Sequence, residues 1–254
     1  YLVSREARKH VTVVLSGDGG DELFGGYDTY RAQRAAERFY RWVPAMIRKR
    51  LLEPLSRRVM PTEQKKGFTN MMKRFVEGSR YPDALKHMRW MMYADTAMKD
   101  VLYAGPLKHY ARTSGLYSLI QDYWNAFDGF DARNRMMLMD YSMYLPEDIL
   151  TKVDRMSMAV SLETRVPYLD NEVIDAAYAI PGRNKVNLCA TKKILKETFS
   201  DMLPDTVMRR GKQGFSIPLK NWLRRELSVR MRDVLNKHDI GRMGVFQFGA
   251  IETM

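Results

Sequence analysis

The sequence predicts a mainly α-helical chain with one or a few parallel strands near its N-terminus. Two observations carry this. A β-branched apolar run, Val11 to Leu15, stops abruptly at Ser16-Gly17. Such a run ending in a glycine-rich turn is how a buried parallel strand delivers a loop to the carboxyl edge of a sheet. After Tyr27, apolar residues recur at helical spacings of three and four, with Pro and Gly between the segments.

The elements follow in order. Tyr1 to Ser4 already lies in a helical pattern leading to the strand at Val11–Ser16. Ala32, Ala35, Ala36, Phe39, Tyr40 and Val43 mark a helix that Pro44 interrupts. Glu63 to Val76, Tyr81 to Met92 and Asp95 to Tyr103 continue as amphipathic segments. Asn134 to Tyr144 is a Met-rich helix whose methionines read as core filler. Arg165-Val166-Pro167 reads as a turn into a helix from Asp170, its N-cap, to Ala179. Ala190 to Met202 is the last clear helix.

The loop after the strand is chemically dense. Between Gly17 and Gly26 stand five glycines and three carboxylates: Asp18, Asp21 and Glu22. Glycines let the backbone approach a phosphate or a metal, and their amides can donate to it. Carboxylates this close repel one another unless a cation sits among them. The natural cation for a Gly/Asp loop is Mg²⁺ carrying a polyphosphate. A solvated acidic turn is the plainer alternative. Glu22 fits a helix cap, Phe24 the core, and Gly25-Gly26-Tyr27 a turn.

Composition excludes several classes. A chain of 254 residues can bury one sizeable core, and a single domain is expected. The net charge of +12 comes from scattered Lys and Arg with no aromatic-interleaved stripe, so nucleic-acid binding is not expected. One cysteine, Cys189, fits a reducing compartment, and no run approaches the ~18 apolar residues of a membrane span, so a cytoplasmic protein is expected. His10, His87, His109 and His238 have no zinc spacing.

Three blocks carry more. They are SGDGGDELFGGY (Ser16 to Tyr27), YLPEDILTKVDRMSMAVSLETRVPYLD (Tyr144 to Asp170) and TKKILKETFSDMLPDTVMRRGKQGFSIP (Thr191 to Pro218). In content and order they resemble the synthetase domain of the asparagine synthetase family. The resemblance implies an α/β fold of the ATP-pyrophosphatase kind, ATP and Mg²⁺, and amide formation through an acyl-adenylate. It makes Ser16 and Gly17 nucleotide contacts and Asp21 the ligand of Mg²⁺-pyrophosphate. Asp18 stands where asparagine synthetases commonly show Glu and a β-lactam-forming relative shows Tyr, so it faces the incoming amine or the intermediate. Glu147 or Asp148 corresponds to an acidic residue near the acyl-adenylate. Lys152, Asp154 and Arg155 are either a structural ion-pair network or aimed into the cleft, with Arg155 a further nucleotide contact. Lys212, between two glycines, matches the lysine that stabilises the developing oxyanion, and Arg210 assists with pyrophosphate.

The resemblance also defines what to look for elsewhere. The family's ATP loop, SGGxDS, and the N-terminal cysteine of its glutaminase domain do not occur in these residues. Residues 1–254 therefore read as one partial synthetase domain, expected to be inactive alone. The leading expectation is conversion of aspartate to asparagine with ammonia from glutamine, with a homodimer allowed. The alternatives are another amide-forming relative (β-lactam synthetase-like, or a sugar amidotransferase) and a non-catalytic scaffold.

Overall fold

The computed structural model describes residues 1–47, 50, 54, 76, 78, 81–92, 94–113, 115–209 and 219–253. Two compact units are distinguished. One comprises 1–91 and 120–212, the other 92–119 and 213–254.

The first unit holds the strand and its loop. Helix α1 (Leu2–Arg8) leads into strand β1 (Val13–Leu15). β1 pairs in parallel with β2 (Glu163–Arg165), in the register Val13↔Glu163, Val14↔Thr164, Leu15↔Arg165. The Glu163 amide donates to the Thr12 carbonyl at 2.9 Å and the Ser16 amide to the Arg165 carbonyl at 2.8 Å, closing the ladder at both ends. The mainly helical chain with a short parallel sheet is as the sequence predicted. Two details differ. The second strand lies where a turn into Pro167 was expected, because Glu163-Thr164-Arg165 finds in β1 an edge to pair with. And β1 is not buried: Val11, Val13 and Leu15 are 42%, 39% and 74% exposed. Among the described residues β2 is the one strand beside it, so its apolar side chains have little to pack on.

Helix α2 (Gly20–Phe24) begins within the loop, and α3 (Asp28–Trp42) follows it. Leu23, Phe24, Tyr30, Met136, Met137, Leu138, Ala177, Tyr178 and Val186 form the core against which α2 sits. The methionines are core filler, as expected. The segment carrying them is not one α-helix: Ala132–Met139 is α-helical and Asp140–Leu150 continues as a π-helix with Pro146 inside it. Proline removes a backbone donor, and the Thr151 hydroxyl takes up the Pro146 carbonyl at 2.8 Å. Asp170 caps Asn171–Ala179 by accepting from the Glu172 amide at 2.9 Å, as predicted. The last helix predicted here is shorter than expected, Lys193–Thr198. The helix expected at Glu63 to Val76 lies almost wholly outside the described residues.

Within the second unit, Asp95 caps Thr96–Leu102 through the Met98 amide at 2.8 Å. Tyr103 forms an antiparallel bridge with Phe246, their rings 5.7 Å apart. Asn236 caps Lys237–Met243, whose Ile240 is buried. Among the described residues no helix is long and apolar enough to cross a membrane.

Candidate adenylating site

The loop at the end of β1 is held in place from below. Glu22 is 1% exposed and accepts the Tyr27 hydroxyl at 2.5 Å. It makes no capping hydrogen bond, although it lies in the first turn of α2, where an acid suits the helix N-terminus as the sequence suggested; it points into the core and is held there by the tyrosine. Burial pushes its carboxyl above the usual range, against the Tyr27 bond, which favours the charged form. The Tyr27 ring meets Tyr30 at 5.8 Å and Tyr144 at 5.9 Å. Tyr30 stacks on His87 at 5.4 Å, and His87 Nε2 lies 2.9 Å from Asp140 Oδ1, with both His87 and Asp140 essentially inaccessible. Burial and the Asp140 carboxylate raise the Tyr30 phenol well above its ordinary range. A polar spine thus runs from the loop through α3 and Asp83–Met88 to the first residue of the π-helix.

Above the spine, the loop presents its own groups. The Ser16 hydroxyl donates to Asp18 Oδ2 at 2.6 Å. A Cβ added at Gly17 would meet nothing within 4 Å, so this backbone faces open space. Asp21 Oδ1 forms an ion pair with the Lys192 ammonium at 2.6 Å, with the two side chains 14% and 32% exposed. Gly26 makes that pair fit: a Cβ there would come 2.0 Å from Asp21 Oδ1 and 2.5 Å from Lys192 Cε. Phe24 packs edge-on against Tyr168 at 5.8 Å, so the Pro167–Leu169 turn braces the loop from the β2 side.

The structure therefore brings Ser16, Gly17, Asp18 and Asp21 together on one loop. Glu147 and Asp148 are exposed on the π-helix, and Lys152, Asp154 and Arg155 are exposed on Thr151–Met158. Among the described residues Lys152, Asp154 and Arg155 form no ion pair with one another, whereas Arg165 pairs with Glu163 at 2.8 Å on the surface. Lys212 and Arg210 lie outside the described residues. A shallow depression of about 440 Å³ is lined by Arg8 to Val13 and contains none of these residues.

No cluster of three or more His, Cys, Asp or Glu able to hold a metal occurs among the described residues. Of the loop's three carboxylates, Glu22 is buried on Tyr27 and Asp18 accepts the Ser16 hydroxyl, which leaves Asp21, already facing a cation, as the one set against a charge. That donor set fits Mg²⁺ arriving with phosphate and water ligands of its own, and does not fit an all-protein cage. Lys192 is the loop residue that sequence reasoning missed. Thr191-Lys192-Lys193 looks like any basic helix start, and its one distinguishing property, a left-handed backbone at φ 49°, is not written in the residue type.

The asparagine synthase family profile matches residues 1–254. The chain is 32% identical over 243 residues to asparagine synthetase [glutamine-hydrolyzing] 1 of Bacillus subtilis (strain 168), covering 93% of this chain and 35% of the relative. It is 34% identical over 226 residues to a putative asparagine synthetase [glutamine-hydrolyzing] of Mycobacterium bovis, covering 88% and 32%. It is 23% identical over 264 residues to amidase chry2 of Gibberella zeae, covering 95% and 37%. It spans about a third of the length of these curated relatives. No solved structure matches it. A glycine-rich loop at the end of a parallel strand, and a family profile that runs through both flanking blocks, lead to one conclusion: the chain belongs to the asparagine synthase family.

Proposed function

We propose that residues 1–254 are part of the synthetase domain of a longer cytoplasmic enzyme that makes an amide from a carboxylic acid, ATP and ammonia. Aspartate is the acid, asparagine the product and glutamine the ammonia source. The carrying observation is the Ser16–Tyr27 loop: a strand end that presents open backbone at Gly17 and a partly buried carboxylate at Asp21, in a chain of this family. The rest of the longer protein supplies the SGGxDS loop and the glutaminase domain. By itself the chain makes no asparagine.

In the first step an oxygen of the aspartate side-chain carboxylate attacks the α-phosphorus of ATP. The bond to the β-phosphate breaks, leaving β-aspartyl-AMP and pyrophosphate. The backbone of Ser16 and Gly17 lies against the adenylate, and Arg155 and Arg210 offer their guanidinium groups to phosphate oxygens. Asp21 would hold Mg²⁺, which when bound neutralises charge on the departing pyrophosphate. In the second step ammonia attacks the acyl carbon and AMP leaves with the electron pair. Lys212 places its positive charge against the oxyanion that develops. Asp18 faces the amine, held in orientation by the Ser16 hydroxyl. The carboxylate of Glu147 or Asp148 is the base that accepts the proton the amine must lose.

A second reading differs in the acid and the amine. Asp18 is one methylene shorter than the Glu common in asparagine synthetases, and the relatives include proteins named amidases. ATP–pyrophosphate exchange on the full-length gene product decides between them. Aspartate should stimulate exchange more than any other carboxylate offered. Stimulation by another acid, with none by aspartate, would reject the asparagine assignment and leave the adenylating chemistry standing.

A further inference from the structure

Lys192 is built into the glycine loop from the far end of the unit's sequence. Its backbone is left-handed, φ 49° and ψ 37°, a conformation that L-residues other than glycine rarely hold without compensation. Its amide donates to the Gly25 carbonyl at 3.4 Å. Its side chain crosses Gly26, with Cε 2.5 Å from where a Cβ would stand, and its ammonium lies 3.5 Å from the corresponding position on Gly20. It ends 2.6 Å from Asp21 Oδ1. An ordinary surface pair needs none of this: Lys9 and Glu6 meet at 2.7 Å on a relaxed helix, both more than half exposed. At Asp21 an unfavourable backbone and the bare Gly26 converge on setting one ammonium against one carboxylate oxygen.

We propose that Lys192 is a placeholder cation at Asp21, which excludes a bare divalent ion and gives way only when a polyphosphate arrives with its metal. The proposal rests on the reading of Asp21 as the metal ligand. Mg²⁺ sheds its water reluctantly and gains little from a single carboxylate that an ammonium already occupies. A polyphosphate changes the balance. Its oxygens complete the metal's coordination and offer the ammonium a second, doubly charged partner. The loop then loads the metal–polyphosphate complex as a unit and stays free of metal otherwise.

The test is Mn²⁺ binding to the full-length protein, followed by the electron paramagnetic resonance of free Mn²⁺, with and without inorganic pyrophosphate. Lys192→Gly and Lys192→Asn remove the charge at a backbone position both residues accept, so the chain should fold, as a circular-dichroism melt verifies. Both should bind bare Mn²⁺ about tenfold more tightly than wild type, because a competing cation is gone. Lys192→Arg should keep the block. Pyrophosphate should strengthen Mn²⁺ uptake in wild type far more than in the Gly and Asn variants. Wild-type affinity for bare Mn²⁺ in both neutral variants, while Asp21→Asn abolishes uptake, would overturn the placeholder and leave Asp21 as the ligand. Undiminished uptake in Asp21→Asn would overturn the metal reading and the placeholder with it.

Discussion

The Ser16–Tyr27 loop and the Glu147–Arg155 stretch both lie in blocks shared with the asparagine synthetases, and they are built in opposite ways. In the loop, residues 22–26 are all buried, and its carboxylates are each engaged: Asp18 by the Ser16 hydroxyl, Glu22 by Tyr27, Asp21 by Lys192. In the helical stretch, Glu147, Asp148, Lys152, Asp154 and Arg155 all face outward. Yet both rest on the same support, because Asp140 opens the π-helix and closes the spine beneath the loop. The difference separates two kinds of candidate residue. Loop groups are fixed before any ligand comes, so changing them costs stability as well as function. Groups on the outer turns are fixed only at their backbone, so changing them should cost function alone.

The largest effect that would break this contrast lies at the shared support. His87→Ala should destabilise the chain by about 3–5 kcal/mol, because it strands the buried Asp140 carboxylate. Denaturant unfolding measures it, and a loss under 1 kcal/mol would mean the spine carries no weight. Next is Gly25→Ala. Its φ of 70° is unfavourable for alanine, and the new methyl would stand 2.7 Å from Met137 Cε and 3.0 Å from Val186 Cβ. Strain and overpacking together should cost about 2–4 kcal/mol in the same assay.

A third test uses pH. Lys185 is fully buried, with its ammonium on Asn134 Oδ1 at 2.8 Å and over the Tyr178 ring at 4.6 Å. Burial lowers its pKa from 10.5 to about 8. Between those values the unfolded chain binds the proton that the folded chain has released. Stability should therefore rise with pH across that window, by up to about 3 kcal/mol. Lys185→Met should lack this rise. The smallest expected effects belong to Glu147→Gln, Asp148→Asn and Arg155→Gln. Each should change stability by less than about 0.5 kcal/mol, as exposed positions do, while lowering activity in the full-length enzyme. A large loss of stability at any of the three would dissolve the contrast.

How much of this was legible in the sequence follows the same division. The strand end, the glycine loop, the Asp170 cap and the methionine core depend on local pattern, and each was readable from it. The π-helix was not, since Asn134 to Tyr144 has the spacing of an ordinary helix and the change of pitch comes with Pro146 and the buried Asp140. β2 was not either, because three residues become a strand only when β1 offers them an edge. The long-range pairs were invisible for a plainer reason. His87 and Asp140 stand 53 positions apart, and Lys185 and Asn134 51. Nothing in either residue's neighbours announces the other. Asp21 could be singled out by its motif, while its partner Lys192 could be found only by folding the chain.

The central claim is that this loop belongs to an enzyme that activates a carboxylate by adenylation. The most direct test is an isotope transfer. Aspartate labelled with ¹⁸O in its side-chain carboxylate is turned over by the full-length protein with ATP, Mg²⁺ and ammonia, and the phosphorus products are examined by mass spectrometry. Attack at the α-phosphorus followed by amide formation leaves one labelled oxygen in AMP, and Asp21→Asn should abolish that transfer. Label in inorganic phosphate with ADP as co-product, or AMP formed without label, would contradict the account.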